Sequence, residues 1–243
     1  VREIESMKFV KGLLSVTALS AIAIISHTGS AQAISFSITH GAPGAGGVTN
    51  QGAYSDLQLP GTKTVDFNSG SVPTTGFAKY SFQKNNGSSS VRSDVWAPAG
   101  VSGQVNTSKY LAVFAGNDVT IDLANHLDYF GINWGAMSPG NVFSFFDGNR
   151  LIQTIGYNDV NPLAEVRASQ HGNEGNGFVH FTATQKNQYF NRIVISQIGG
   201  GGFESDNHSF RMASVPEPTA ILGLTAVGGA LLLKRKKQTQ IEE

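Results

Sequence analysis

The 243-residue chain contains no cysteine. That absence excludes disulfides, thiolate metal sites and a cysteine nucleophile, so stability has to come from packing, from sheet pairing or from a bound ion. Neither sign of charge is in excess, since 17 Lys and Arg balance 17 Asp and Glu. Without its basic ends the stretch 34–214 is slightly acidic, and nothing in it favours nucleic acid as a partner. The interior lacks any long run with the 3.6-residue period of an amphipathic helix. His40, His126, His171, His180 and His208 are scattered, with no pair at the close spacing of a zinc site. His180 alternates within a strand pattern and is expected to face solvent. No Gly-x-Ser-x-Gly elbow exposes a serine nucleophile. The glycine-rich stretches 171–177 and 199–202 lack the following helix that a phosphate loop needs, and they read as connections between strands.

What the chain does have is two apolar ends. Near the C-terminus Val215, Pro216, Glu217 and Pro218 precede an apolar run from Ala220 to Leu233, which Lys234, Arg235, Lys236 and Lys237 close. A helix of about fourteen residues rises only ~21 Å, short of the ~30 Å hydrocarbon core. Length alone leaves a buried core helix and a membrane anchor both open. Gly223, Gly228 and Gly229 would each cost about 1 kcal/mol in a soluble helix, and the run has no polar face. Flanking lysines can snorkel to a cytoplasmic interface, so these features favour the anchor. At the other end Lys8 and Lys11 form a positive region, Leu13 to Ile25 an apolar one, and Ala31-Gln32-Ala33 a small-residue cleavage site. This is a secretory signal pattern, with translation expected to start at Met7 and the mature chain near Ile34. An uncleaved N-terminal anchor is the alternative.

The order Val-Pro-Glu-Pro, short apolar helix, basic end resembles the PEP-CTERM sorting signal of exosortase-dependent surface proteins in Gram-negative bacteria and cyanobacteria. With the signal peptide, the resemblance implies passage through the Sec export machinery and a transient stay in the inner membrane. An exosortase-type sorting protease would then remove the tail near Pro-Glu-Pro, leaving the product at the cell surface or outside the cell. The chain divides accordingly into an upstream extension and signal peptide (1–33), a surface domain (34–214), the sorting signal with its membrane helix and basic tail (215–237), and a cytoplasmic end (238–243).

Between the ends the pattern is that of strands and turns. Ile34, Phe36 and Ile38 alternate with Ser35, Ser37 and Thr39, the period of a half-buried strand. Val65 to Phe67, Phe77 to Phe82 and Val91 to Trp96 are further strand candidates. Tyr110 to Phe114 and Val119 to Leu123 flank a hairpin-like turn at Ala115 to Asp118. Phe130, Ile132 and Trp134 share one face of the next segment, and Tyr129, Gly131 and Asn133 the other. Val142 to Phe146 is expected to turn at Asp147-Gly148-Asn149 into Leu151 to Ile155, and Phe178 to Ala183, Ile193 to Ile198 and Phe210 to Met212 complete the set. Turns every eight to twelve residues or so, without a fixed repeat, predict an all-β, antiparallel β-sandwich of jelly-roll type as one domain.

A second resemblance lies in Lys109 to Val113, Tyr129 to Gly135, Asn141 and Phe203 to Asn207, which are similar to a group of bacterial PEP-CTERM surface proteins. Members commonly carry an acid a few positions after the Trp-Gly pair, where this chain has Ser138. The match implies export and a sandwich more than an activity.

Three kinds of chemistry are open to such a domain. Asp66, Asp94, Asp122, Asp128, Asp147, Glu165, Glu174, Glu204 and Asp206 offer carboxylates, and a hydrolase reading needs two of them to converge in a pocket. Glu204 and Asp206, two apart on a strand, share a face, as do Asp66 and Asn68. These four make a candidate set for a structural calcium ion. Trp96 and Tyr157 lie beside loop signals and are the candidate sugar-stacking rings, whereas Trp134 is expected in the core. The leading expectation is an exported, non-enzymatic cell-surface or extracellular-matrix protein. A carbohydrate-binding module that takes exopolysaccharide is the alternative.

Overall fold

Short alternating segments can bury one face only by pairing, and in the computed structural model they pair into twelve strands among the described residues. The structure describes residues 34–84 and 87–214. The cleavage site at Ala31 and Ala33, the motif Val215 to Pro218 and the cluster Lys234 to Lys237 lie outside the described residues. Among the described residues no helix is long and apolar enough to cross a membrane, and the one α-helix, α1 (Tyr157–Val160), is a single turn.

The strands are β1 (Ser35–Thr39), β2 (Lys63–Val65), β3 (Ala78–Lys84), β4 (Ser90–Arg92), β5 (Tyr110–Phe114), β6 (Asp118–Met137), β7 (Asn141–Asp147), β8 (Arg150–Gly156), β9 (Val166–Ala168), β10 (Glu174–Thr182), β11 (Phe190–Gln197) and β12 (Gly202–Met212). All their pairings are antiparallel. The organising element is the 20-residue β6. Its first half runs between β3 and β11, with Ile121 opposite both Tyr80 and Ile193. Its second half runs between β10 and β12, with Trp134 opposite Gly177 and Ser205. The change of partners follows the exposed stretch Ala124 to His126. One layer is therefore β3, β6, β11, β7 and β8, and the other β1, β10, β6, β12, β5 and β4, with β2 and β9 pairing at its margins.

The layers meet through aromatic rings. Phe143 of β7 packs against Trp134 at 5.1 Å, Phe181 at 4.8 Å and Phe203 at 5.0 Å between ring centroids. Burying rings of this size dominates the core energetics, at roughly 25 cal/mol per Å² removed from water. Trp134 is fully buried, as its alternation predicts, and its indole nitrogen donates to Asn141 Oδ1 at 3.2 Å.

Several expectations change. The turn at Ala115 to Asp118 does not make a hairpin: β5 pairs with β4 and β12, while β6 takes β3 and β11. The turn carries the chain from one layer to the other, held by Gly116 N–H donating to Gln197 O at 2.8 Å. Alternation marks both segments as strands but is silent about their partners. The hairpin of β7 and β8 does form, with Asp147 opposite Arg150. Strand β4 ends at Arg92, well short of Trp96. The glycine-rich stretches are not merely connections, because Glu174 to Gly177 opens β10 and Gly202 opens β12. Both faces of the second half of β6 are buried, including Tyr129, Gly131 and Asn133 on the face away from the rings. The segments around 41–54 and 94–108 cover that outer face, burying Ala53, Ala97, Ala99 and Asn106.

Candidate functional site

The covered outer face carries buried polar residues, and it contains two quite different arrangements on one strand, at Asp206 and at Glu204.

Asp206 is fully buried and fully engaged. Its carboxylate accepts from Asn106 Nδ2 and Ser108 Oγ, each at 3.1 Å, and from the backbone N–H of Asn207 at 2.8 Å. Around it, side-chain amides hold the covering segments by their carbonyls. Asn207 Nδ2 donates to Gln51 O and Ala53 O, and Asn133 Nδ2 to Ala99 O. A bulge between Asp206 and Ser209, with Asn207 at φ 48°, lets consecutive residues reach the same face. Gly52, at φ 75°, fits beneath three amide nitrogens, and a Cβ there would lie 2.7 Å from Asn133 Nδ2. Burial raises the Asp206 pKa well above the carboxylate range, although its three donors oppose this.

Glu204, two residues earlier, faces the same way but into a pocket of about 250 Å³. Trp96, Phe114, Ala136, Ser138, Glu174, Gly201 and Gly202 line it with Glu204. Only 5% of Glu204 is exposed, yet among the described residues its carboxyl receives nothing but its own backbone N–H. Gly202 makes the position possible, since a Cβ there would collide with Glu204 Oε1. Burial pushes the Glu204 pKa up to about 8, helped by the nearby charges of Glu174 and Asp94 and opposed by Arg92. Glu174, at the start of β10, is raised too, by burial. Arg92 is already engaged: it donates to Asp94 at 3.1 Å and its guanidinium lies 5.2 Å over the Phe114 ring. Burial would raise Asp94, but hydrogen bonds from Tyr110 Oη, the Trp96 N–H and Arg92 outweigh it and hold it low.

Trp96 forms the open side of the pocket. Its ring is 45% exposed and stacks on His171 at 5.8 Å and 15°. His171 is fixed from behind by Val95 O at 3.0 Å and Asn176 Oδ1 at 3.1 Å, and burial lowers its pKa. An indole with one face stacked and the other side exposed is a stacking platform, and two carboxyls without side-chain partners among the described residues are acceptors or donors for a ligand.

The sequence-derived candidates are thus distributed rather than gathered. Of the calcium set, Asp66 Oδ1 accepts from the Asn68 N–H at 3.1 Å in a local turn, Asp206 is taken up by its amide cluster, and Glu204 faces the pocket. Among the described residues no three His, Cys, Asp or Glu side chains are grouped to hold a metal ion. Of the sugar-stacking pair, Trp96 lines the Glu204 pocket, while Tyr157 lines another with Pro139, Asn141 and Ile198, its hydroxyl accepting from Asn161 Nδ2. His180 does not face solvent. It is 2% exposed and sits between Tyr129 Oη and Asp56 Oδ1, each at 2.9 Å, because the covering segment closes over its face of β10. Glu174 was one acid among nine by spacing, and only the pairing of β10 with β6 and β6 with β12 brings it beside Glu204.

No protein-family model and no curated protein matches the chain. A solved structure of the catalytic domain of a GH87 alpha-1,3-glucanase variant in complex with tetrasaccharides is similar to it at a TM-score of 0.29 with 8% identity. The likeness covers 77% of this chain and 29% of that one, so the chain spans less than a third of the glucanase structure. At that TM-score it says nothing about ligand or activity.

Proposed function

We propose that this chain is an exported cell-surface or matrix protein, non-enzymatic, that binds carbohydrate in the pocket of Trp96, Glu174 and Glu204. One observation carries the binding reading: a half-exposed indole and two carboxyls without side-chain partners face a single pocket. Sugar rings stack on indoles through their C–H faces, and carboxyls bond the hydroxyls. The layered antiparallel sheet supports reading the domain as a jelly-roll type of β-sandwich, with exopolysaccharide as the ligand class.

Calorimetric titration of a glycan panel tests the reading. Trp96→Ala is expected to weaken binding by about tenfold or more. Binding that survives unchanged in this variant would move the site elsewhere. The export half rests on the two terminal patterns alone. Its test is fractionation of tagged protein with and without the sorting protease, and intact tail on released protein would defeat it.

The convergence of Glu174 and Glu204 favours a glycoside hydrolase as the second reading. Glu204, largely protonated at neutral pH, would be the proton donor and Glu174 the base. New reducing ends from a bound oligosaccharide, abolished in Glu204→Gln, would replace the binding reading with this one.

A further inference from the structure

The charge of the pocket narrows the ligand. Three charged groups act on Glu204 of β12: Glu174 from β10, Arg92 at the end of β4 and Asp94 just after it. Arg92 is spent on Asp94 and on the Phe114 face, and His171 behind Trp96 is held toward its neutral form by burial. Among the described residues two carboxyls therefore remain with no cationic side chain of their own, beside the rings of Trp96 and Phe114. Acidic groups next to aromatic faces form the environment that an ammonium ion prefers, through charge pairing and cation–π attraction together.

We infer that the sugar recognised in this pocket carries a free, protonated amine, placed against Glu174 and Glu204 while its ring stacks on Trp96. This rests on the carbohydrate reading and sharpens it to amino sugars that are not N-acetylated. The ammonium supplies a cation, and its three N–H donors match two carboxyls that have no side-chain donor among the described residues. Binding would draw the proton off Glu204, so affinity should rise with pH for as long as the ligand amine stays charged.

The test uses two probes in parallel, a glucosamine tetramer and an N-acetylglucosamine tetramer, titrated into the full folded domain at slightly acidic pH and low salt. The amine form is expected to bind about tenfold tighter, with the preference shrinking at high salt. The double variant Glu174→Gln, Glu204→Gln should lose the preference while keeping the weaker binding of the acetylated tetramer, and Trp96→Ala should lose both. Unfolding curves for each variant show whether the fold is retained, and Glu204→Gln, an uncharged isostere at a buried site, is expected to retain it.

Equal affinity for the two tetramers in the unaltered protein would overturn the amine inference and leave carbohydrate binding standing. A preference that persists in the double Gln variant would overturn the assignment of the amine to these carboxyls. Failure of both tetramers and of the whole glycan panel would remove the carbohydrate reading itself.

Discussion

Glu204 and Asp206 sit on one strand, face one way and differ by a single residue between them, yet their surroundings are opposite. Three donors meet Asp206 and amides pin loops around it, while among the described residues Glu204 has only its own N–H and an open pocket. Both are pushed toward protonation by burial. The difference lies in what covers them. Asp206 stabilises the covering segments, and Glu204 is held in a state that costs stability, as groups kept available for a ligand commonly are.

The sharpest way to break this contrast is at the engaged end. Asp206→Ala leaves the Asn207 N–H without an acceptor and opens space beneath Asn106 and Ser108. A loss on the order of 3–4 kcal/mol is expected in denaturant unfolding. A loss below about 1 kcal/mol would mean that the amide cluster does not hold the covering segments.

Gly52→Ala tests the same cluster from the loop side. It combines a left-handed backbone with a Cβ pressed against three amide nitrogens, and about 2–3 kcal/mol should be lost. An unchanged midpoint would show that the amides move freely.

The smallest effect, and the only one of opposite sign, belongs to the open end. The folded-state pKa of Glu204 lies above its unfolded value, so its contribution is fully present at low pH and fades as pH rises from the ordinary carboxylate range through about 8. Glu204→Gln should therefore leave stability unchanged near pH 4 and raise it by about 2 kcal/mol near pH 6. Thermal melts at both values check the sign. A loss near pH 6 would put an unseen partner on the carboxyl.

Much of the fold was legible, for reasons that also explain the errors. The side chains of Phe130, Ile132 and Trp134 share the core face that their alternation predicts, and Asp147-Gly148-Asn149 is local turn chemistry, so β7 and β8 pair as expected. The turn at Ala115 to Asp118 has equally good local chemistry, and the choice between hairpin and crossover depends on Gln197 and Gly201, more than 80 residues away. The candidate site divides in the same way. Trp96 stood out as an aromatic beside turn residues, and Glu204 and Asp206 as a pair on one face. Their separation into two sites depends on which covering segment lies above each, and period-2 spacing carries nothing about that. Burial of His180 is illegible in the sequence for the same reason, since a strand covered on both sides has no solvent face for a polar residue to mark.

The placement of β12 bears on how the domain assembles. It comes last among the described strands yet lies between β6 and β5, with β2 also pairing to it. A chain emerging from its N-terminus can join β7 to β8, but the second layer stays split until residues 202–212 arrive to bridge its halves. Contacts this distant in sequence make closure slow. For a chain exported as proposed here, a keystone in the last described strand delays closure of that layer until residues 202–212 have crossed.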